Sequence, residues 1–212
     1  MRKPNGQERK VVVLSKKRLD DKGVDNKYIV EAHTLINGNE GERTMRLVEK
    51  ELKVYEFLER NDDDIPADKY LKYWRELQDA GIPTVPTMRK LDDERVIMTD
   101  LTAEGGCLYG KNKSLQMTGD KNSIDDIFLS IDPEEITKQA QEIVEKANKA
   151  GISLPMDDPL ELLVNPDGTW RLLVLDLSML EFRLEQRSVI ANNEEAIDFF
   201  NHQLQIIRQG LS

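Results

Sequence analysis

The chain has 212 residues, a single cysteine, two histidines and a formal net charge of −10. That charge argues against a general affinity for nucleic acid or an anionic membrane surface, and Cys107 by itself excludes an intrachain disulfide or a thiolate metal cage. Hydrophobic residues at 39% and charged residues at 33% suit a globular protein with one large domain or two small lobes. Apolar runs stop far short of the about 20 residues of a membrane span. The basic start, "MRKPNGQERK", is not followed by an apolar stretch of signal-peptide length, so a cytoplasmic protein is expected.

In chain order, "VVVLSKKR" reads as a strand, "LDDKGVDN" as a turn around Gly23, and "KYIVEAHTLI" as the partner strand. "NGNEGE" breaks the pattern. From Glu42 the spacing of Leu47, Val48, Leu52, Tyr55 and Leu58 predicts an amphipathic helix. A second helix is expected over "ADKYLKYWRELQDAG", capped by Gly81. "IPTVPTMRK" and "ERVIMTDL" read as short strands around "LDDE", the first held to a sheet edge by Pro83 and Pro86.

The glycine-containing "TAEGGCLYGKNKSLQMTGDKNS" reads as a loop or linker. Asp132-Pro133-Glu134-Glu135 is a strong helix start, and Ile136, Ala140, Ile143, Val144 and Ala147 mark the buried face up to Gly151. Next, Leu162-Leu163-Val164 and Leu172 to Leu175 flank the turn signal Asn165-Pro166-Asp167-Gly168, with Asp157 and Asp158 before this hairpin and Asp176 after it. Asn192 with Glu195 predicts the start of a last helix that buries Ala196, Ile197, Phe200, Leu204 and Ile207. Strands first and helices later make an α+β pattern. No P-loop or dinucleotide-binding fingerprint occurs, and neither histidine lies in a triad-like motif.

This order, with "DDPLELLVNPDGTWRLLVLDLS" at its centre, resembles the protein-kinase-like fold, in particular its divergent bacterial and atypical members such as the aminoglycoside-phosphotransferase-like and RIO-like kinases. The resemblance runs from about residue 10 to the end. It implies two lobes: a small β-rich lobe over 1–102 and a mostly helical lobe over 103–212. It also implies Mg²⁺ and ATP as cofactors. Asp157, or alternatively Asp158, would be the catalytic acid, and Asp176 and Glu161 would hold metal. "YIVEAHTLI" looks like the strand of the phosphate-binding lysine, with Glu31 at the matching position. "RLVEKELKVYEFLER" looks like the helix whose glutamate pairs with that lysine, with Glu51 as the match. "RVIMTDLTAEGG" looks like the last strand of the small lobe and the hinge, so that Met98, Thr99, Asp100 and Leu101 would line a nucleotide site.

The departures are specific. Glu161 stands where the family has Asn, Ser178 follows Asp176-Leu177 where it has Gly, and a glycine-rich turn is missing. The expected function is a phosphotransferase with an unidentified acceptor. The alternative is a pseudokinase, a binding or regulatory module with a protein partner and no phosphotransfer.

Overall fold

The structure, a computed structural model, describes residues 9–18, 26–36, 39–52, 66–110, 113–116, 121–156, 159–177, 180–182 and 184–211. Gly23, Tyr55, Leu58, Asp157, Asp158 and Ser178 lie outside the described residues. The chain is α+β, with a five-stranded antiparallel sheet, two smaller sheets and four helices among the described residues. None of these helices is long and apolar enough to cross a membrane.

The large sheet contains β1 (Arg9–Arg18), β2 (Asn26–Ile36), β3 (Asn39–Glu51), β4 (Met88–Lys90) and β5 (Arg95–Thr99), in the order β1-β2-β3-β5-β4. β4 sits at an edge, as expected, with Pro83 and Pro86 in the segment before it rather than within it. Helix α1 (Pro66–Asp79) precedes β4 and buries Tyr70, Leu71 and Leu77; Gly81 ends it with φ 68°, a left-handed cap.

The helix expected from Glu42 is corrected. Residues 39–51 form β3, the central strand, paired with β2 from Ile36↔Asn39 to Asn26↔Glu51 and with β5 from Leu47↔Thr99 to Glu51↔Arg95. Leu47, Val48 and Leu52 fit a helical spacing, but a segment with a ladder on both sides satisfies its backbone groups as a strand, and tertiary pairing outweighs local period.

The expected loop after residue 102 is also corrected. It contains β6 (Cys107–Gly110) and β7 (Lys113–Gln116), and is followed by α2 (Lys121–Ser130). Its glycines permit close approach. A side chain at Gly106 would meet Asn165 Oδ1 at 2.9 Å and Leu163 Cδ1 at 3.1 Å. Tyr109 on β6 is fully buried, stacked 4.1 Å from Phe128 of α2, and donates to Asp125 at 2.6 Å. Burial, and then that hydrogen bond, push its phenol far above the usual range, so it remains a donor.

α3 (Pro133–Ala150) follows the expected design: Asp132 accepts from Glu134 N, Gly151 caps the end at φ 70°, and the five expected residues are buried. After it come β8 (Ile152–Ser153), the hairpin β9 (Glu161–Val164) and β10 (Trp170–Leu173), and β11 (Glu181–Phe182). β9 and β10 pair as expected across Asn165-Pro166-Asp167-Gly168, with Gly168 at φ 84°. α4 (Gln186–Leu211) begins six residues before the expected Asn192. It buries Ala196, Phe200, Leu204 and Ile207.

One apolar cluster runs from Leu52 and α1 through β6, β9 and β10 to α3 and α4. Polar ties reinforce it: Val174 N donates to Pro83 O (2.9 Å), Thr84 Oγ1 to Val174 O (2.8 Å) and Lys146 Nζ to Gly81 O (3.1 Å). These bonds place the end of β10 against the segment that follows α1.

Candidate functional site

Side chains alternate across a strand, and directly opposed residues of an antiparallel pair share a face. The registers therefore place Lys50, Val48 and Arg46 of β3 on one face with Val96, Met98 and Asp100, and with Lys27, Ile29 and Glu31 of β2. This inner face turns toward α1 and the end of β10. Lys50 is 5% exposed. Its ammonium donates to Tyr70 OH at 3.2 Å, lies 4.9 Å from that ring's centre and stands 4.0 Å from Asp176 Oδ1. Tyr70 OH in turn donates to Leu175 O at 3.3 Å. Val174, held by Pro83 and Thr84, sets the position from which Asp176 reaches Lys50. The Asp176 side chain is 30% exposed.

The lysine that meets Asp176 is on β3, a residue that the sequence reading passed over. Glu31 is on β2, exposed, on the same inner face but directly opposite Arg46, and it accepts from Ser15 Oγ at 3.0 Å. Glu51 is not a helix residue; it follows Lys50 on β3 and faces the other side of the sheet. The missed signal was Asn37-Gly38, a hairpin-type dipeptide directly after the apolar Leu35-Ile36. It marks 39–51 as the return strand.

The expected hinge residues divide by face. Met98 is half-buried on the inner face beside Val48, and Leu101 packs on a small cluster of Leu108, Leu163 and Leu173 together with Leu175. Thr99 faces outward, its hydroxyl 2.8 Å from that of Thr87. Asp100 is 4% exposed, and its Oδ1 accepts from Thr102 N (2.9 Å) and Thr102 Oγ1 (2.8 Å). Its Oδ2 lies 2.8 Å from Arg46 Nε as an ion pair without hydrogen-bond alignment. The Asp100 side chain thus ties β3 to the end of β5.

Glu161 opens β9, opposite Leu173 on β10, and its carboxylate presses on Gly110 of β6 so closely that a Cβ there would collide with it. Gly110→Ala is therefore expected to displace the Glu161 carboxylate, the far end of a flexible side chain, at a cost near the lower end of the range for an extra carbon in packed structure, about 1 kcal/mol. Urea unfolding in wild-type and Glu161→Ala backgrounds checks this, since removing the carboxylate should relieve most of the cost. Equal costs in both backgrounds would show that Glu161 is not the obstacle. Glu161 and Asp176 are hard oxygen donors of the kind Mg²⁺ takes. Among the described residues, no group of three or more His, Cys, Asp or Glu gathers as a metal cluster.

A depression of about 610 Å³ lies on the other face of the sheet, lined by Lys16, Tyr28, Glu49, Glu51, Asp92, Asp93, Glu94 and Arg95. Its buried Glu49 is engaged by Lys16 (2.7 Å) and Arg95 (3.1 Å), and Lys16 sits over the Tyr28 ring. The Arg95 hydrogen bond holds the Asp92 carboxyl below its usual range. This face binds its own charges, and the inner face carries the better candidate site.

No protein-family model matches the chain, and no curated protein matches it significantly in sequence.

Proposed function

We propose that the chain is a divergent, two-lobed kinase-like phosphotransferase that binds Mg-ATP between the large sheet and the helical half. The observation that carries this reading is the convergence of buried Lys50 with Asp176, from the C-terminal end of a central strand and the segment that follows a hairpin far away in sequence. Phosphoryl transfer asks little covalent chemistry of a protein; it needs a cation on the phosphates and an acid on the metal, held rigidly. In this reading Lys50, rather than Glu31, meets the phosphates and Asp176 holds Mg²⁺ with Glu161. Asp157 or Asp158 orients the accepting hydroxyl. Ile29, Val48 and Met98 cover one side of the base and the Leu101 and Leu175 side chains the other.

A thermal-shift titration tests it. ATP with Mg²⁺ should raise stability by about 2.7 kcal/mol at a hundredfold excess over Kd, and by less without the metal. No shift at millimolar nucleotide would sink the reading. A second reading, the pseudokinase, is favoured by one observation: α1 presents a tyrosine, Tyr70, to Lys50 rather than a carboxylate. It predicts the same shift with no ATP turnover, which a phosphate-release assay separates.

A further inference from the structure

On α1 the sequence places a tyrosine, Tyr70, on the apolar face with Leu71, Trp74 and Leu77. Burying a tyrosine on such a face sends a hydroxyl into the interior, where it needs polar partners. Tyr70 is fully buried, and its hydroxyl meets Lys50 Nζ at 3.2 Å and Leu175 O at 3.3 Å. Chemistry fixes the direction of both bonds. An ammonium only donates and a carbonyl only accepts, so the hydroxyl accepts from Lys50 and spends its one proton on Leu175.

The neighbours of Leu175 are placed as well. Val174 is tied to Pro83 O and Thr84 Oγ1, and Asp176 Oδ1 stands 4.0 Å from the Lys50 ammonium. Tyr70 thus touches both sides of that pair. It holds the ammonium directly and the carboxylate through the backbone of the preceding residue.

The 4.0 Å separation is the informative distance. A charged N–H to carboxylate bond is about 2.7–2.9 Å long, and attraction between opposite charges grows as they close. Lys50 is 5% exposed and its ammonium rides on a flexible four-carbon stem, so the lysine itself does little to keep the gap open. A contact pair would commit the two charges to each other, and a phosphate or a hard cation would then have to break it. A neutral phenol holds the ammonium without cancelling its charge, through the hydroxyl and through the ring, whose centre is 4.9 Å away.

We infer that Tyr70 is a positioning residue that acts as a spacer: its hydroxyl holds the Lys50 ammonium out of a contact pair with Asp176, so that an anionic ligand reaches the ammonium without first separating it from the carboxylate. The ligand's identity rests on the nucleotide reading. The separation of the pair does not, and it is measured without any ligand.

Tyr70→Phe keeps the ring and removes the hydroxyl. Urea unfolding of Lys50→Met, Asp176→Asn and the double variant gives the coupling between the two residues, in the wild-type background and with Tyr70→Phe added. Loss of the spacer should let the pair close and raise the coupling about tenfold in the unfolding equilibrium constant, the scale of shortening an ion pair by about 1 Å at an effective dielectric of about 20. A tyrosine that only fills space would lower stability and leave the coupling where it was. Tyr70→Phe should also weaken Mg-ATP binding about tenfold, and this loss should vanish when Lys50→Met is already present, because the hydroxyl acts on the ligand only through the pair. Unchanged or reduced coupling in Tyr70→Phe overturns the spacer, and if wild type still binds Mg-ATP the nucleotide reading survives it. Raised coupling in a protein that binds no ATP leaves the spacer standing and removes the nucleotide reading. Mg-ATP bound by Tyr70→Phe as tightly as by wild type also overturns the spacer. Should Tyr70→Phe not fold, Tyr70→Met, flexible enough to refill the space without a hydroxyl, gives the same readout.

Discussion

Lys50→Met is expected to weaken nucleotide binding sharply and leave the fold intact. Methionine matches the length of the lysine stem, and loss of the buried ammonium removes its desolvation cost. The carboxylate left behind, Asp176, is 30% exposed and stays solvated, which limits the cost of breaking the pair. The binding effect runs the other way. A charge-assisted contact to phosphate contributes about 1.5–3 kcal/mol, so affinity should fall by roughly 10- to 100-fold. Asp176→Asn is the companion variant. It should keep Mg-independent ATP binding, lose the gain from Mg²⁺ and abolish any turnover, since the amide keeps the shape and loses the charge a hard cation needs. Urea unfolding and ATP titration with and without Mg²⁺ read all of these. ATP binding by Lys50→Met at wild-type strength would remove Lys50 from the site, and unchanged turnover in Asp176→Asn would remove Asp176.

The second large effect is on stability. Asn193 in α4 is fully buried. Its Oδ1 accepts from Leu154 N at 2.7 Å, and its Nδ2 donates to Ile152 O at 2.9 Å and to Asn148 Oδ1 at 2.8 Å. These bonds fasten the short strand β8, which also pairs with β11 through Ile152↔Phe182 and Ser153↔Glu181. β8 leads directly into the segment that contains Asp157 and Asp158. Asn193→Ala leaves the Leu154 N–H and the Ile152 carbonyl buried without a partner. Each such group costs about 1–3 kcal/mol, so a total loss of about 3 kcal/mol is expected, seen as a lower urea midpoint with an unchanged slope. Asn192→Ala is the control. Its side chain makes one half-buried bond, to Ser153 Oγ at 3.0 Å, and its removal should cost about 1 kcal/mol. An Asn193→Ala protein within about 0.5 kcal/mol of wild type would show that β8 is held by packing alone.

Local chemistry was legible wherever it was sufficient. Asp132-Pro133 and Gly151 bound α3 because a cap oxygen, a missing N–H and a left-handed glycine act within one turn of the chain. The 165–168 turn is legible for the same reason: Asp167 bonds the Thr169 backbone and Gly168 takes the positive φ. Glycines misled where they served packing instead of a turn. Gly106 and Gly110 let β6 lie against β9, a need that exists only once Asn165, Leu163 and Glu161 are in place. The start of α4 was set too late because Asn192, which looks like a cap, is an interior helix residue whose side chain binds Ser153 of β8.

Local sequence carries the α+β class, the ends of α3 and a hairpin followed by Asp176. Tertiary structure decided which residue Asp176 would face. Residues 39–51 carry a spacing that fits either period, and only hydrogen-bonded ladders to β2 and β5 make them a strand. That choice turns Lys50, Lys27 and Met98 to one face and sends Glu51 to the other. Pairing between segments distant in the chain depends on partners that no local window contains, and the candidate site is built almost entirely from such pairings.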